Sequence, residues 1–92
     1  MRVKVRAFAT FRKVLSVEQD VDLPDGSTVG DLVVMLTVAH AGLTDALFSA
    51  PGVLRDHVNI LRNGRNIHFE EGLGTLLRNN DVVALFPPVG GG

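Results

Sequence analysis

A single long helical pattern lies near the middle of this 92-residue chain, between stretches typical of β-strands, and that order limits the folds open to it. Thr28 can cap the free N–H groups of a helix start, and Asp31 follows three residues later as a shorter counterpart of the acidic residue in a capping box. Apolar residues then recur at helical spacing through Leu36, and Gly42 is a natural terminator. The spacing predicts one main helix whose apolar face packs on a sheet.

The apolar face of this helix is wider than a single stripe. Val34, Met35 and Val38 extend it, so we expect a helix that is well buried or that contacts a partner. A second short helix is predicted over Leu43–Phe48, before Pro51-Gly52 breaks the chain.

Two strands are predicted before the main helix. Arg2–Phe8 alternates basic and apolar residues, which is the period of a half-buried strand. Residues 8–15 form a short helical turn or a packed loop. Val17–Leu23 alternates again, with acidic residues on the polar face, and turn residues 24–27 follow it. We expect these two strands to pair as a hairpin.

Three more strands are predicted after the helix. His57–Arg62 alternates, and Asn63-Gly64 is the strongest hairpin signal in the sequence because both turn residues must tolerate a positive φ. Arg65–Phe69 is the expected return strand, with Ile67 and Phe69 facing inward. The stretch 72–77 is expected to be a compact turn or short helix that holds leucines under the sheet, and the apolar run 82–86 is a buried final strand.

The predicted order is strand, strand, helix, strand, strand, strand, which makes an α+β fold with a mixed sheet of about five strands packed on one main helix. The first and last strands can lie side by side in the centre only if their connection supplies the helix crossover. This is the β-grasp arrangement. Residues 1–86 form the β-grasp domain, and residues 87–92 form an extended C-terminal tail that ends in Gly-Gly.

Composition excludes several classes of function. The net charge is −1, with nine basic and ten acidic residues, so we expect no nucleic-acid binding. No apolar run approaches the length of a membrane span. Cysteine is absent, which excludes disulfides and a nucleophilic thiol and makes a cytoplasmic location the expectation. His40, His57 and His68 lack short ligand spacing, so we expect no metal site.

The candidate functional segment is the last seven residues of the sequence. Two prolines end the final strand, because proline has no N–H for a sheet ladder, and they favour an extended path away from the domain. One valine offers an apolar contact, and three glycines without side chains follow. Such a tail can thread a narrow channel and carry the terminal carboxylate to a buried site of a partner. The predicted site residues are Phe86, Pro87, Pro88, Val89, Gly90, Gly91 and Gly92.

Other candidates receive plainer interpretations. Phe86 closes the core or belongs to a contact patch at the rim of the sheet, and both roles stay open. Arg62 and Arg65 are expected to be solvating charges, with a contact to an acidic partner surface as the alternative. Glu70-Glu71 is expected to be a solvated turn and not an acid/base pair.

The stretch from Asp81 to Gly92 resembles the ending of the small subunit of molybdopterin synthase. That family ends in an acidic turn, an apolar strand, Phe-Pro-Pro-Val, one variable residue and Gly-Gly, with Gly90 in the variable position here. The run His57–Gly64 is similar to the archaeal branch, which includes small archaeal modifier proteins. The resemblance covers nearly the whole chain and implies a ubiquitin-like member of the ThiS/MoaD sulfur-carrier superfamily.

The resemblance implies sulfur carriage without catalysis by this chain. A ubiquitin-activating-type enzyme, using ATP, would adenylate the carboxylate of Gly92, and a sulfur donor would convert it to a thiocarboxylate. The tail would then enter the large subunit of molybdopterin synthase, where sulfur is transferred to a pterin precursor. No bound cofactor is expected in the carrier itself.

Three alternatives remain open within and beyond this family. The chain is a protein modifier that joins Gly92 to lysines of target proteins, or it delivers sulfur to another pathway, such as tRNA thiolation, cysteine or thiazole formation. From a different class, it is a non-covalent β-grasp interaction module that binds partners through its sheet.

Overall fold

The computed structural model describes residues 1–88. In chain order the elements of this part are β1 Arg2–Ala7, β2 Glu18–Asp22, α1 Val29–Ala39, α2 Leu43–Leu47, β3 Phe48–Ala50, β4 Val53–Leu54, β5 Asn59–Arg62, β6 Arg65–Asn66 and β7 Val82–Phe86. Five strands form one sheet in the spatial order β2-β1-β7-β5-β6. The central pair β1 and β7 is parallel, and the other neighbours are antiparallel. The predicted α+β arrangement, with its helix crossover between two central strands, is confirmed.

The first hairpin follows the alternation of its sequence. On the outer face the Arg2 Nε lies 2.9 Å from Asp22 Oδ1, and the Lys4 Nζ lies 3.5 Å from Glu18 Oε1. These ion pairs are exposed and contribute little to stability, so burial of the inner face is what fixes the strand register. The helical turn expected after β1 is a 3-10 helix, Ala9–Lys13. The inward side chains of β1, all fully buried, are Val3, Val5 and Ala7.

Helix α1 begins with the predicted capping box. The Thr28 Oγ1 accepts a hydrogen bond from the Asp31 N–H at 3.1 Å, and the Asp31 carboxylate accepts one from the Thr28 N–H at 2.9 Å. These two bonds satisfy donors that the first helical turn would otherwise leave free. The helix lies on the inner face of the sheet, and the side chains that it buries there are Val29, Leu32, Val33 and Leu36.

The opposite face of α1 is not well buried in this chain. Val34, Met35 and Val38 all belong to the exposed residues, and Val38 retains 84% of its accessible surface. Of the two outcomes expected for this wide face, burial within the domain is therefore wrong for these three side chains. The partner alternative is taken up below.

The segment after α1 contains a small sheet that the sequence did not predict. The short helix α2 is confirmed, and its Leu43 and Leu47 are fully buried. Phe48, which we expected at the end of that helix, instead begins β3, and β3 pairs with β4 as an antiparallel hairpin. Its turn contains Gly52, whose φ is +73°.

The hairpin at Asn63-Gly64 is confirmed, but its return strand is shorter than expected. Strand β6 ends at Asn66, whose side-chain oxygen accepts a hydrogen bond from the His68 N–H at 2.9 Å and starts a 3-10 helix, Ile67–Phe69. Ile67 is buried as predicted. The expectation that Phe69 faces inward is wrong, because the helical turn directs it outward and leaves it 70% exposed.

The compact turn predicted for residues 72–77 contains a 3-10 helix, Gly72–Gly74. Leu77 is buried, and Leu73 is half-buried against the core. Leu76 is exposed, so only part of the leucine set lies under the sheet. The backbone N–H of Leu77 donates to the Ser27 carbonyl at 2.9 Å, which ties this turn to the start of α1.

Candidate partner-binding site at the root of the tail

The predicted tail leaves the domain from the centre of the sheet. Strand β7 lies between β1 and β5 and ends at Phe86. Pro87 is buried and Pro88 is exposed, so the chain passes from the packed domain to the surface between these two prolines. The predicted site residues Val89, Gly90, Gly91 and Gly92 lie outside the described residues.

Phe86 lies on the outer face of the sheet, opposite α1. Its ring stacks on that of Phe8, with ring centroids 4.2 Å apart and planes inclined by 12°. The Phe8 N–H also donates to the Leu85 carbonyl at 3.1 Å, which fixes the end of β1 against the end of β7. The prediction that Phe86 closes the core is wrong, because its half-buried ring lies outside the core cluster and stacks on Phe8, whereas its role in a contact patch stays a prediction.

Two guanidinium groups flank this aromatic pair. The central carbons of Arg6 and Arg12 lie 5.6 Å and 5.4 Å from the centroid of the Phe8 ring, within cation–π range. The Arg12 Nε donates to the Ala7 carbonyl at 2.9 Å, so this side chain is held close to the strand end. The root of the tail is thus apolar at its centre and positively charged on the β1 side.

On the other side of Phe86, the outer face forms a concave apolar surface of about 800 Å³. Leu61 of β5 and the exposed Phe69 line it together with Phe86 and Pro87, and Arg65 stands at its edge. The Arg65 Nε lies 3.2 Å from a Glu70 carboxylate oxygen. We call this surface, with the Phe8–Phe86 stack, the tail-root patch.

The sequence predicted only some of the residues in this patch. Phe86 and Pro87 were predicted, whereas Phe8, Leu61 and Phe69 were not. Phe8 continues the outward series of even-numbered residues on β1, and that alternation was the signal that could have found it. No comparable signal existed for Phe69, because its orientation depends on the 3-10 turn.

A buried carboxylate anchors the start of β7 at the opposite end of the strand. The Asp81 side chain accepts hydrogen bonds from Arg62 Nε at 2.7 Å, from Asn63 Nδ2 at 2.8 Å and from the Arg78 N–H at 2.7 Å. Burial alone would raise the pKa of Asp81, but these hydrogen bonds outweigh it and hold the pKa below its ordinary value. The expectation that Arg62 only solvates the hairpin is wrong, since it pairs with this buried group.

The remaining polar candidates stay dispersed. Across residues 1–88, no three histidine, cysteine, aspartate or glutamate side chains come together as a metal site. His68 instead packs edge-on against Phe69, with centroids 5.4 Å apart. Within the same part of the chain, no helix has both the length and the apolar character needed to cross a membrane.

The fold, in which a mixed sheet wraps one main helix and its last central strand leads into the tail, is that of ubiquitin-like β-grasp proteins. The chain belongs to the ThiS family, which matches residues 5–92. The resemblance to the ThiS/MoaD superfamily is thereby confirmed.

Three relatives carry carrier or modifier names. The chain is 41% identical over 95 residues to small archaeal modifier protein 3 of Haloferax volcanii, with 100% of both chains covered. It is 43% identical to small archaeal modifier protein 1 of the same organism, over 78% of each chain. It is 35% identical to the sulfur carrier protein CysO of Mycobacterium tuberculosis, over 73% of this chain and 74% of that one. These relatives are named as modifier proteins or as a sulfur carrier protein.

Solved structures of similar proteins agree with this family assignment. The crystal structure of small archaeal modifier protein 1 from Haloferax volcanii has a TM-score of 0.86 at 38% identity, with 100% of both chains covered. A putative molybdopterin converting factor, subunit 1, from Pyrococcus furiosus has a TM-score of 0.77 at 33% identity, covering 96% of this chain and 98% of that one. A chain of the BexX/CysO complex from Amycolatopsis orientalis has a TM-score of 0.78 at 26% identity, covering 98% and 99%.

Proposed function

We propose that this chain is a sulfur carrier whose Gly92 carboxylate is converted to a thiocarboxylate, and that it serves as the small subunit of molybdopterin synthase. The observation that carries the proposal is the tail-root patch, an apolar and aromatic surface placed where the Pro-Pro tail leaves the domain. Support also comes from membership of the ThiS family and from the similarity to a putative molybdopterin converting factor.

The chemistry requires activation because a carboxylate is a poor electrophile. In the proposed sequence an activating enzyme lets a Gly92 carboxylate oxygen attack the α-phosphate of ATP, which forms an acyl-adenylate and releases pyrophosphate. Hydrosulfide then attacks the acyl carbon, a C–S bond forms, and AMP leaves with the C–O electron pair. The product is a thiocarboxylate that carries one transferable sulfur.

The residues of this chain supply binding and positioning in that scheme. The Phe8–Phe86 stack and Pro87 fix where the tail begins, and Pro88 is exposed at the surface. Leu61 and Phe69 offer apolar surface on which an activating enzyme or a large subunit can close. The nucleophiles and bases belong to the partners, so the isolated chain should turn over no small substrate.

A second function, protein modification, is supported by the relatives from Haloferax volcanii, which are named as modifiers and of which one is matched over its full length. In that reaction a lysine amine of a target attacks the activated acyl carbon of Gly92 and displaces the activating group. The product is an isopeptide bond. Both functions need the same tail and the same first step, so one chain can perform both.

The intact mass of the purified chain after incubation with a cognate activating enzyme, ATP and sulfide tests the shared step. We expect the mass gain of one oxygen replaced by sulfur, only when all three are present. Adding a molybdopterin synthase large subunit with pterin precursor should then return the carrier to its carboxylate mass. Isopeptide adducts on target lysines, with no sulfur delivered to the pterin precursor, would favour modification, and discharge only to a cysteine or thiazole precursor would assign another pathway. An unchanged mass under all conditions contradicts both functions.

A further inference from the structure

The layer opposite the tail-root patch carries a second concave surface, which we call the helix groove. It has a volume of about 580 Å³. One wall is the first half of α1, at Gly30 and Val34, and the other is the α2–β3 segment, at Asp45 and Phe48. Leu73 closes one end. Gly30 and Leu73 therefore line one concave groove and not a flat surface patch.

Close packing at one residue defines the closed end of the groove. A Cβ at position 30 would lie 3.0 Å from the Leu73 carbonyl oxygen, which is tighter than most real Cβ contacts. Glycine at this position of α1 lets the backbone of the 72–74 turn approach the helix directly. The closed end of the groove is thus formed by tightly packed backbone of α1 and of the 72–74 turn.

The apolar surface continues beyond the groove along the helix. Val34 is 60% exposed, and Val38, one turn further, is more exposed still. Residues 30, 34 and 38 share one helix face, and eight residues of helix span about 12 Å. Isolated apolar side chains are common on protein surfaces, but a walled groove that runs into an apolar helix stripe is typical of a contact surface.

The charged residues that line the groove are acidic. From Val14 to Leu54 the sequence contains six acidic residues and no lysine or arginine. Two of those acids, Asp31 and Asp45, stand at the groove and are exposed. The basic side chains of β1 point to the other layer of the domain. There Arg2 and Lys4 form ion pairs with acidic residues of β2. The Arg55 Nε donates to the Asp45 carbonyl at 2.6 Å, but Arg55 is outside the groove lining, so an occupant meets apolar walls and two carboxylates.

We propose that the helix groove binds an apolar segment that carries lysine or arginine residues and belongs to a partner protein. Small-molecule sites have convergent polar groups inside the pocket, whereas the charged groups here stand at the rim of an open groove, which suits a peptide segment. Because α1 covers the inner face of the sheet and the tail-root patch lies on the outer face, one chain can hold both partners at once. This interaction requires no chemistry at Gly92 and goes beyond the proposed carrier function.

Two synthetic peptides of equal length test the charge argument. Both have leucines along one helical face, and the opposite face carries only lysines in one peptide and only glutamates in the other. In NMR titrations of the isotope-labelled full chain, we expect the lysine peptide to shift the amide signals of residues 30–34 and 44–52 and to bind more weakly as salt rises. The glutamate peptide should leave these signals unchanged.

A matched pair of variants tests the location. Val34→Lys places a positive charge in the groove wall and should weaken binding of the lysine peptide by about tenfold or more. Val17→Lys makes the same change at a valine of similar exposure, 55%, outside the groove, and should leave the affinity unchanged. Both sites are exposed, so both variants should keep the melting temperature of the parent chain.

Four results would overturn the proposal. Three of them are equal binding of the two peptides, equal binding of the lysine peptide by Val34→Lys and the parent, and no shift of the groove amide signals at millimolar peptide. The fourth is a concentration-dependent dimer that Val34→Lys dissociates, which would make a second copy of the chain the occupant of the groove. Failure here is separable from failure of the carrier function, because Val34→Lys should still acquire a thiocarboxylate at the parent rate.

Discussion

At the residue scale, the root of the tail is held by Phe86 and by the Phe8 ring on which it stacks. The sequence identified Phe86 from its place before the prolines, and two roles stayed open. Its partner Phe8 could not be assigned, because the contact arises from parallel pairing of the first and last strands, which lie far apart in sequence. The alternation of β1 indicates the face on which Phe8 lies, but the strand register that brings the two rings together is set by the whole sheet and leaves no local signal.

Phe86→Ala should weaken binding to a large subunit by about 1–4 kcal/mol if the stack is a contact hot spot. Loss of the ring would remove an aromatic contact with the partner and the stack on Phe8 that holds the root of the tail in place. Isothermal titration with the folded variant measures the affinity, and thermal unfolding measures the stability separately.

Phe48→Ala is the matched control, since Phe48 is also half-buried but lies beside the helix groove. We expect it to lose stability and to keep parent affinity for the large subunit. Equal affinity of Phe86→Ala and the parent would show that Phe86 acts only in packing.

A second residue-scale prediction concerns Asp81. Because its folded pKa lies below its unfolded value of about 3.9, its contribution to stability is complete above that pH and is lost as the pH falls through the folded pKa. Asp81→Asn should therefore lower the free energy of unfolding by about 1–3 kcal/mol at pH 7. The difference from the parent should shrink below about pH 4.

Urea unfolding at several pH values measures this difference. The pKa of Asp22 is also lowered, by its hydrogen bond and charge contact with Arg2, but that pair is present in both proteins and cancels in the comparison. Asp20→Asn, at an exposed carboxylate on β2, should be neutral within about 0.5 kcal/mol. A gap between Asp81→Asn and the parent that stays constant down to pH 2 would contradict the assignment.

At the scale of elements, the sequence predicted those whose signal is local. The capping box of α1, the alternation of β1 and the Asn63-Gly64 turn each depend on residues a few positions apart, and all three formed as expected. The end of β6 and the β3–β4 hairpin were missed. Ile67 and Phe69 keep a strand-like alternation although they lie in a 3-10 turn, and β4 is only two residues long.

The turn between β5 and β6 gives an element-scale test. Gly64 has a φ of +84° and nothing near its absent Cβ, so Gly64→Ala should cost stability only through backbone strain, on the order of 1 kcal/mol. Gly74 has equally open space without a positive φ, and Gly74→Ala should be close to neutral. Chemical denaturation of both variants measures the difference, and equal losses would contradict the explanation by φ.

At the scale of the whole molecule, the domain has two opposite layers that differ in charge and in the binding role that we propose for each. The outer layer holds the tail-root patch with its flanking arginines, and the helix layer holds an acidic, apolar groove. Composition alone, with a net charge of −1, conceals this separation. The sequence predicted the fold and the tail, but the two surfaces emerge only when the strands are brought together.

Shortening or blocking the tail should leave this domain intact. Deleting Gly92, or changing Gly91→Val, alters residues that follow the buried Pro87 by several positions, so the melting temperature should stay within about 1–2 °C of the parent. Differential scanning calorimetry tests this. A large fall in melting temperature would mean that the tail contributes to the folded domain and does not only extend from it.

The most direct test of the carrier account compares sulfur transfer by the parent chain and by the chain without Gly92. The acyl carbon must come within about 3–3.5 Å of its reaction partner, and one extended residue spans about 3.3–3.6 Å, so the shortened tail should miss the site. With activating enzyme, ATP and sulfide, followed by large subunit and pterin precursor, the parent should form the dithiolene product and the shortened chain should form none. Product from the shortened chain at the parent rate would contradict the requirement for a tail that ends at Gly92.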